Sequence, residues 1–328
     1  MTDANNPLNK ELRRARQDAD WERKTLEKLA FAALNEQRRS RRWGIFFRIL
    51  GFGYVGFLLV ILAMPDSFDT DQLRDQDHTA VVDVQGVIAN DAEASAAKVK
   101  ASLRAAFEDE HTKGVVLRIN SPGGSPVQAG MIRDEILRLR KQHPDIKLYA
   151  VVEDLCASGG YYVASAADGV YVDKASLVGS IGVIMSGFGF TEAMDALGVD
   201  NRTMTAGRHK AFLDPFAPED PKAKAHVQTM LDAIHRQFID VVKAGRDGKL
   251  TDDPDLFTGL IWTGDRAVEL GLADGLGDID YVAREIVKVE DTVEFTPKRD
   301  YLERFADRFG AGVGASLAEW LGFGGAIR

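Results

Sequence analysis

Apolar residues fall into three regimes along this chain. From Trp43 to Met64 they form one nearly continuous run, interrupted only by Arg48. Its length reaches the ~20 residues a membrane-spanning helix needs, and Arg48 lies close enough to the start for its guanidinium to snorkel to an interface. From Thr79 to about residue 290, short apolar runs bounded by turn residues alternate with stretches at i, i+3/i+4 spacing. In the tail after Arg299, Phe305, Phe309, Val313, Leu317 and Leu321 recur every four residues, while Gly310, Gly312 and Gly314 weaken the helix they suggest.

The middle regime predicts a strand over Thr79–Ala89, a helix over Ala94–Phe107, a strand over Gly114–Asn120 and a helix over Val127–Lys141. A strand over Lys147–Val152, a helix after Ser158 and short strands near Val170 and Val178 follow. A longer helix is expected over Pro221–Ala244, where Val227, Met230, Leu231, Ile234, Phe238, Ile239 and Val242 keep one stripe; such a helix serves packing or an oligomer contact more often than a site. Alternating β and α units predict an α/β fold, a mostly parallel sheet covered by helices with functional loops at the strand ends. The expected organisation is a charged N-terminal segment 1–42, a transmembrane anchor 43–64, a linker 65–78, one α/β domain 79–290 and an amphipathic tail 291–328.

Charge orients the anchor. Arg38, Arg39, Arg41 and Arg42 precede the apolar run and Asp66, Asp69 and Asp71 follow it, so the positive-inside rule places the N-terminus in the cytoplasm and the α/β domain outside it. A long polar stretch before the run argues against a cleaved signal peptide. The first 64 residues carry a net +5 and the remainder −14, which gives no support to nucleic-acid binding. Cys156 is the only cysteine, so no intrachain disulfide can form. The six histidines have no metal-ligand spacing, and no metal or other cofactor is expected.

Two loops carry candidate chemistry. Asn120-Ser121-Pro122-Gly123-Gly124 follows a predicted strand and precedes a helix; its glycines permit conformations that aim backbone N–H groups at an oxyanion, although the same tetrapeptide is an ordinary turn. Ser158 sits between a strand and a helix in Ala157-Ser158-Gly159-Gly160-Tyr161-Tyr162. A nucleophile there gains from the positive end of the helix dipole, whereas a plain N-cap serine accounts for the residue equally well. A serine needs a base. Lys210 lies where a charged step, Gly207-Arg208-His209-Lys210, runs into the apolar Ala211-Phe212-Leu213-Asp214-Pro215-Phe216. A desolvated lysine is a neutral amine and can serve as that base; a surface lysine is the bland alternative.

With these segments the chain resembles the signal peptide peptidase A family of bacterial serine peptidases, which share a Clp protease/crotonase-like fold of repeated ββα units. The resemblance covers residues 79–290. It rests on the Ser-Pro-Gly-Gly turn, the Ser158 segment, Val178-Gly179-Ser180-Ile181-Gly182-Val183, Gly207–Phe216, and Trp262-Thr263-Gly264-Asp265-Arg266-Ala267 leading to Gly271-Leu272-Ala273-Asp274. It implies that Ser158 is the nucleophile, Lys210 the general base and Ser180 the residue that orients the lysine, with backbone amides of Gly124 and Gly159 forming the oxyanion hole. One copy of each motif is similar to the short form of the family, implying a homo-oligomer of about eight chains at the bacterial inner membrane that degrades signal-peptide remnants or other apolar peptides.

Other assignments compete. His209 could replace Lys210 as base, yet no aspartate marks a triad. Cys156 could be a nucleophile but lacks a partner motif. A crotonase-type acyl-CoA enzyme would also use glycine-loop amides, without needing a Ser/Lys pair or a tether outside the cytoplasm. A non-catalytic oligomeric membrane scaffold would be expected to have lost one of the two residues, and both are present.

Overall fold

Val81, Val82 and Val84 on one segment and Val115, Val116, Leu117 and Ile119 on the next are buried whichever way their side chains point. Strands covered on both faces belong to a parallel sheet with layers on either side. The computed structural model describes residues 74–297 continuously, together with 41–57, 36–39 and two isolated upstream positions. Chain contacts separate two units, Met1–Asp66 with Arg299–Arg328, and Ser67–Lys298. In the first, residues 41–57 are helical and largely exposed. Among the described residues no helix is long and apolar enough to cross a membrane; positions 58–64 of the expected anchor, most of the expected linker and the expected tail helix lie outside them.

The second unit is an α/β domain. Its elements are β1 (His78–Gln85), α1 (Ala96–Glu108), β2 (Thr112–Ser121), α2 (Pro126–Gln142), β3 (Lys147–Ala157), α3 (Gly159–Ala164), β4 (Gly169–Val172), β5 (Leu177–Gly179), α4 (Thr191–Leu197), α5 (Pro221–Gly245), β6 (Ile261–Thr263), α6 (Gly264–Glu269), β7 (Gly275–Leu276), α7 (Ile279–Tyr281), a π-helical turn Val282–Val287, and β8 (Thr292–Glu294). The sheet runs β6-β5-β3-β2-β1-β8, with β4 paired to β3 and β7 to β4. Every pairing is parallel except β5 with β6.

One feature of the sheet positions everything that follows. β3 is longer than its neighbours and forks: Tyr149–Val152 pair with β4, whereas Leu155–Ala157 pair with β5. The register with β2 shifts at the same level, so that Ile119 faces Val152 but Ser121 faces Cys156. The extra residues carry Glu153 and Asp154 at the exposed edge and deliver the chain beyond the sheet at Ser158. Sequence periodicity ended this strand at Val152, because Glu153 and Asp154 break the apolar run.

Helices cover the face formed by Ala80, Val82, Val84, Val115, Leu117, Leu148, Ala150 and Val152, and their buried residues, among them Leu103, Phe107, Ile132, Ile136 and Val242, complete the main core. The opposite face, with Val81, Val116 and Val151, is smaller and closed by Val282 and its neighbours. Helix starts obey local chemistry. Ser125 caps α2 by accepting from the Gln128 N–H with Pro126 in the first turn, and Asp220 caps α5 by accepting from the Lys222 N–H ahead of Pro221 in the same way.

Two ion-pair groups tie the layers and yield predictions. Glu135 of α2, only 6% exposed, accepts from Arg138 on its own helix and from Arg104 of α1. Hydrogen bonds from Arg138 and Arg104 hold its carboxyl well below the usual glutamate range, at about 2. A depressed carboxylate adds stability that is complete above the unfolded pKa near 4.5 and is lost as pH falls toward 2. Because both arginines are nearly half exposed, solvent screening trims the contribution to about 1–2 kcal/mol. Denaturant titrations at pH 7 and pH 3 are expected to differ less for Glu135→Gln than for the wild type, by somewhat more than half of that amount.

At the other end of the domain Arg246 is 1% exposed, donating from Nε to the Gly271 carbonyl and from a terminal nitrogen to Asp274. Asp274 also accepts from Lys249 and from the Val170 N–H. Burial pushes its carboxyl up, and Arg246, Lys249 and the Val170 amide together outweigh that and hold it below the ordinary value. Asp274→Ala strands a buried guanidinium and is expected to cost about 3 kcal/mol, measured as a lowered chemical-denaturation midpoint with an unchanged slope.

Candidate active site

Ser158 occupies the junction between β3 and α3. Its N–H donates to the Gly179 carbonyl at 2.9 Å and its carbonyl accepts from Tyr162 at 2.9 Å. These bonds hold a backbone at φ 52°, ψ −120°, a conformation L-residues rarely adopt. The side chain makes no capping hydrogen bond. The bland reading of Ser158 as an N-cap therefore does not hold, because its hydroxyl is half-buried and unbonded among the described residues.

The glycine loop lies against this turn. It is stitched down by Ser121 Oγ donating to the Gly86 carbonyl at 2.6 Å, the Gly123 N–H donating to Ser121 Oγ at 3.1 Å, and Ile88 N–H donating to Gly123 at 2.8 Å. A Cβ on Gly159 would project to 3.3 Å from the Gly124 nitrogen, so these two peptides face one another across the loop. Gly124 has φ 148°, and a Cβ there would sit 2.3 Å from the Ile88 carbonyl oxygen. Among the described residues neither the Gly124 N–H nor the Gly159 N–H donates a hydrogen bond. Two neighbouring, unspent backbone donors close to a serine are what an oxyanion requires. Residues 86–88, which set the loop, are expected from the sequence as the end of a strand reaching Ala89; β1 instead stops at Gln85, and Ile88 forms an isolated bridge to Gly124.

Ser180 arrives from the parallel neighbour. Ala157 pairs with Gly179, which places Ser158 and Ser180 at adjacent positions just past the ends of β3 and β5. Both carry positive φ, 52° and 51°. The Ser180 N–H donates to the Leu260 carbonyl at 2.7 Å, and His235 of α5 bonds the Ile181 carbonyl through Nε2 at 3.1 Å.

Lys210 is placed differently. It lies in an exposed turn, its N–H donating to Gly207 at 3.1 Å. Its ammonium has no hydrogen bond or ion pair among the described residues, and no bond joins it to Ser158 or Ser180. The structure thus brings Ser158, Ser180, Gly124 and Gly159 together within one chain, and no hydrogen bond links Lys210 to them. The surrounding segment, 183–220, exposes an unusual amount of apolar surface: Ile184 is 86% and Met204 95% exposed, with Phe188, Leu197 and Leu213 also open. On α5, Phe238 and Val242 are buried, Val227, Leu231, Ile234 and Ile239 are half-buried, and Met230 is exposed.

The rivals within reach lose ground. His209 is exposed in the same turn as Lys210. Cys156 is fully buried, and burial pushes its thiol far above the usual range, away from the reactive thiolate. Among the described residues no cluster of His, Cys, Asp or Glu could hold a metal.

A serine delivered by a strand onto a strained turn lies close to two free backbone amides. Residues 140–293 match the model of Peptidase family S49. The chain is 48% identical over 185 residues to the Na(+)/H(+) antiporter NhaA of Brucella melitensis biotype 1, covering 56% of this chain and 25% of that one. A protein of Enterococcus faecium bearing the name of signal peptide peptidase SppA is 31% identical over 67% of this chain and 63% of its own, and Protease 4 of Haemophilus influenzae is 28% identical over 70% and 37%. The chain spans less than two thirds of each of these relatives. Residues 140–293 thus carry the sequence of peptidase family S49.

Proposed function

We propose that the chain is a serine endopeptidase in which Ser158 is the nucleophile, Lys210 the general base and Ser180 the residue that orients the lysine, with the Gly124 and Gly159 amides as oxyanion hole. The observation that carries this reading is the strained, uncapped Ser158 beside two unspent backbone donors. The neutral lysine takes the Ser158 proton as the hydroxyl oxygen attacks a peptide carbonyl, and the amides receive the developing charge. The ammonium so formed protonates the leaving amine. Water, deprotonated by the same base, then releases the acyl group and regenerates the serine.

The exposed position of Lys210 supports completion of the site on assembly. A second copy of the chain covering the apolar 183–220 segment and the half-buried stripe of α5 would take the lysine out of water and carry it to a serine. A homo-oligomer of about eight chains in the Clp-like manner, anchored in the bacterial inner membrane by 43–64 with its catalytic unit outside the cytoplasm, is the matching cellular form. Signal-peptide remnants and other apolar membrane-associated peptides are the matching substrates.

The test is hydrolysis of an apolar signal-peptide-like fluorogenic peptide by the full chain in detergent micelles. Cleavage inside the peptide is the expected result, while a folded, oligomeric wild type without cleavage would turn the reading toward an acyl-CoA enzyme or a scaffold. The oxyanion assignment adds its own outcome. Gly124→Ala would drive a Cβ into the Ile88 carbonyl, and displacement of that donor is expected to lower kcat by about 10²–10³-fold.

A further inference from the structure

Resting on the reading above, we propose that Trp262 is a positioning residue of this site, the element that fixes the Ser180 turn beside Ser158. β6 runs antiparallel to β5, with Trp262 opposite Val178 and Ile261 opposite Gly179. The edge of the indole fills the space a side chain at residue 179 would need: a Cβ there would project to 3.1 Å from Trp262 Cδ1 and 3.6 Å from Nε1, and to 2.9 Å from the Leu260 carbonyl oxygen. Gly179 has φ 118°, so no other residue fits both the backbone and the ring.

The contact matters because of what Gly179 carries. Its carbonyl accepts the Ser158 N–H at 2.9 Å, and the next residue, Ser180, donates its N–H to Leu260 at 2.7 Å, two residues before Trp262. The ring therefore bears on the single peptide that links the two serines. On the far side His235 holds the Ile181 carbonyl at 3.1 Å, and Gly182 packs so closely that a Cβ on it would lie 3.1 Å from the Gly259 α-carbon. The turn 179–182 is gripped between the strand 259–262 and α5.

The indole nitrogen is buried and has no hydrogen-bond partner among the described residues. A tryptophan in such a place ordinarily finds an acceptor for its N–H, and leaving it unmet costs stability. A bulky aromatic kept there without that bond is there for its shape. A phenyl ring preserves the apolar edge against Gly179 without the unmet donor; a methyl group preserves neither.

The experiment measures kcat and KM for the fluorogenic apolar peptide with full-length Trp262→Ala, Trp262→Phe and Ser180→Ala, each confirmed folded and assembled by circular dichroism and sedimentation. Trp262→Ala is expected to lower kcat by about 10²-fold with KM within threefold, since small misplacement of reacting groups acts on the chemical step. Trp262→Phe is expected to recover most of that loss. Wild-type kcat in Trp262→Ala overturns the proposal whatever Ser180→Ala does, and so does a loss carried by KM or one that Trp262→Phe fails to recover. A wild-type Ser180→Ala beside an impaired Trp262→Ala removes instead the orienting role of Ser180 and leaves Trp262 acting on Ser158 through Gly179. If Trp262→Ala does not fold, Trp262→Leu, which keeps apolar bulk without the flat ring, is expected to show the same kcat loss, and wild-type turnover in it overturns the proposal equally.

Discussion

Ser158→Ala is expected to reduce peptide hydrolysis by at least about 10⁴-fold, to the residue of catalysis that binding and an oxyanion hole sustain alone. The same substitution is expected to leave the unfolding free energy within about 0.5 kcal/mol of wild type, because the hydroxyl has no hydrogen bond to lose. Alanine inherits the backbone strain at φ 52°. Ser158→Gly relieves it and is expected to gain about 1 kcal/mol while being equally inactive. That inverse relation between stability and activity at one position separates a strained nucleophile from a structural serine, whose removal would cost stability and spare turnover. Denaturant unfolding beside peptide hydrolysis measures both. Full activity in a folded Ser158→Ala protein would remove the mechanism.

The parallel sheet was legible because its strands are short apolar runs between helices of 3.6-residue period. The expected α1 and α2 lie within two residues of Ala96–Glu108 and Pro126–Gln142, and the long helix over Pro221–Ala244 ends one residue further on. What local pattern could not supply was the environment of each side chain. The α5 stripe reads as packing or an oligomer contact, and it is buried at Phe238 and Val242, half-buried at Val227, Leu231, Ile234 and Ile239 and open at Met230, since periodicity reports amphipathicity and not how far the apolar face is covered. The short elements β6 to β8 were invisible for another reason: two or three residues carry no period, and their place is set by partners far away, as Leu276 is by Val172. At the site, glycines and serines adjacent in sequence were readable as loop chemistry. The bridge between them was not. Trp262 and Ile88 touch the site only through long-range pairing, and the tryptophan's motif carried no indication that its ring would lie on Gly179.

Lys210→Ala is expected to abolish hydrolysis as Ser158→Ala does, by about 10³-fold or more, since a serine without a base is a poor nucleophile at neutral pH. The folded chain should scarcely register it: Lys210 is exposed and its ammonium is unpaired among the described residues, so the unfolding midpoint is expected to stay put. The informative experiment mixes the two inactive proteins. If one copy lends its lysine to the serine of the next, a Ser158→Ala chain still donates a good lysine and a Lys210→Ala chain still presents a good serine. Dissociated and reassembled in equal amounts, the pair is expected to regain about a quarter of wild-type activity, the share of contacts in a head-to-tail ring that join one intact half to the other. A base swung onto Ser158 within its own chain by movement of the 183–220 segment predicts no recovery at any ratio, because every chain then lacks one half of its own dyad. Mixing before and after dissociation supplies the internal control: recovery that requires subunit exchange locates the base across an interface, and the exposed apolar segment around Lys210 becomes the surface through which it is delivered.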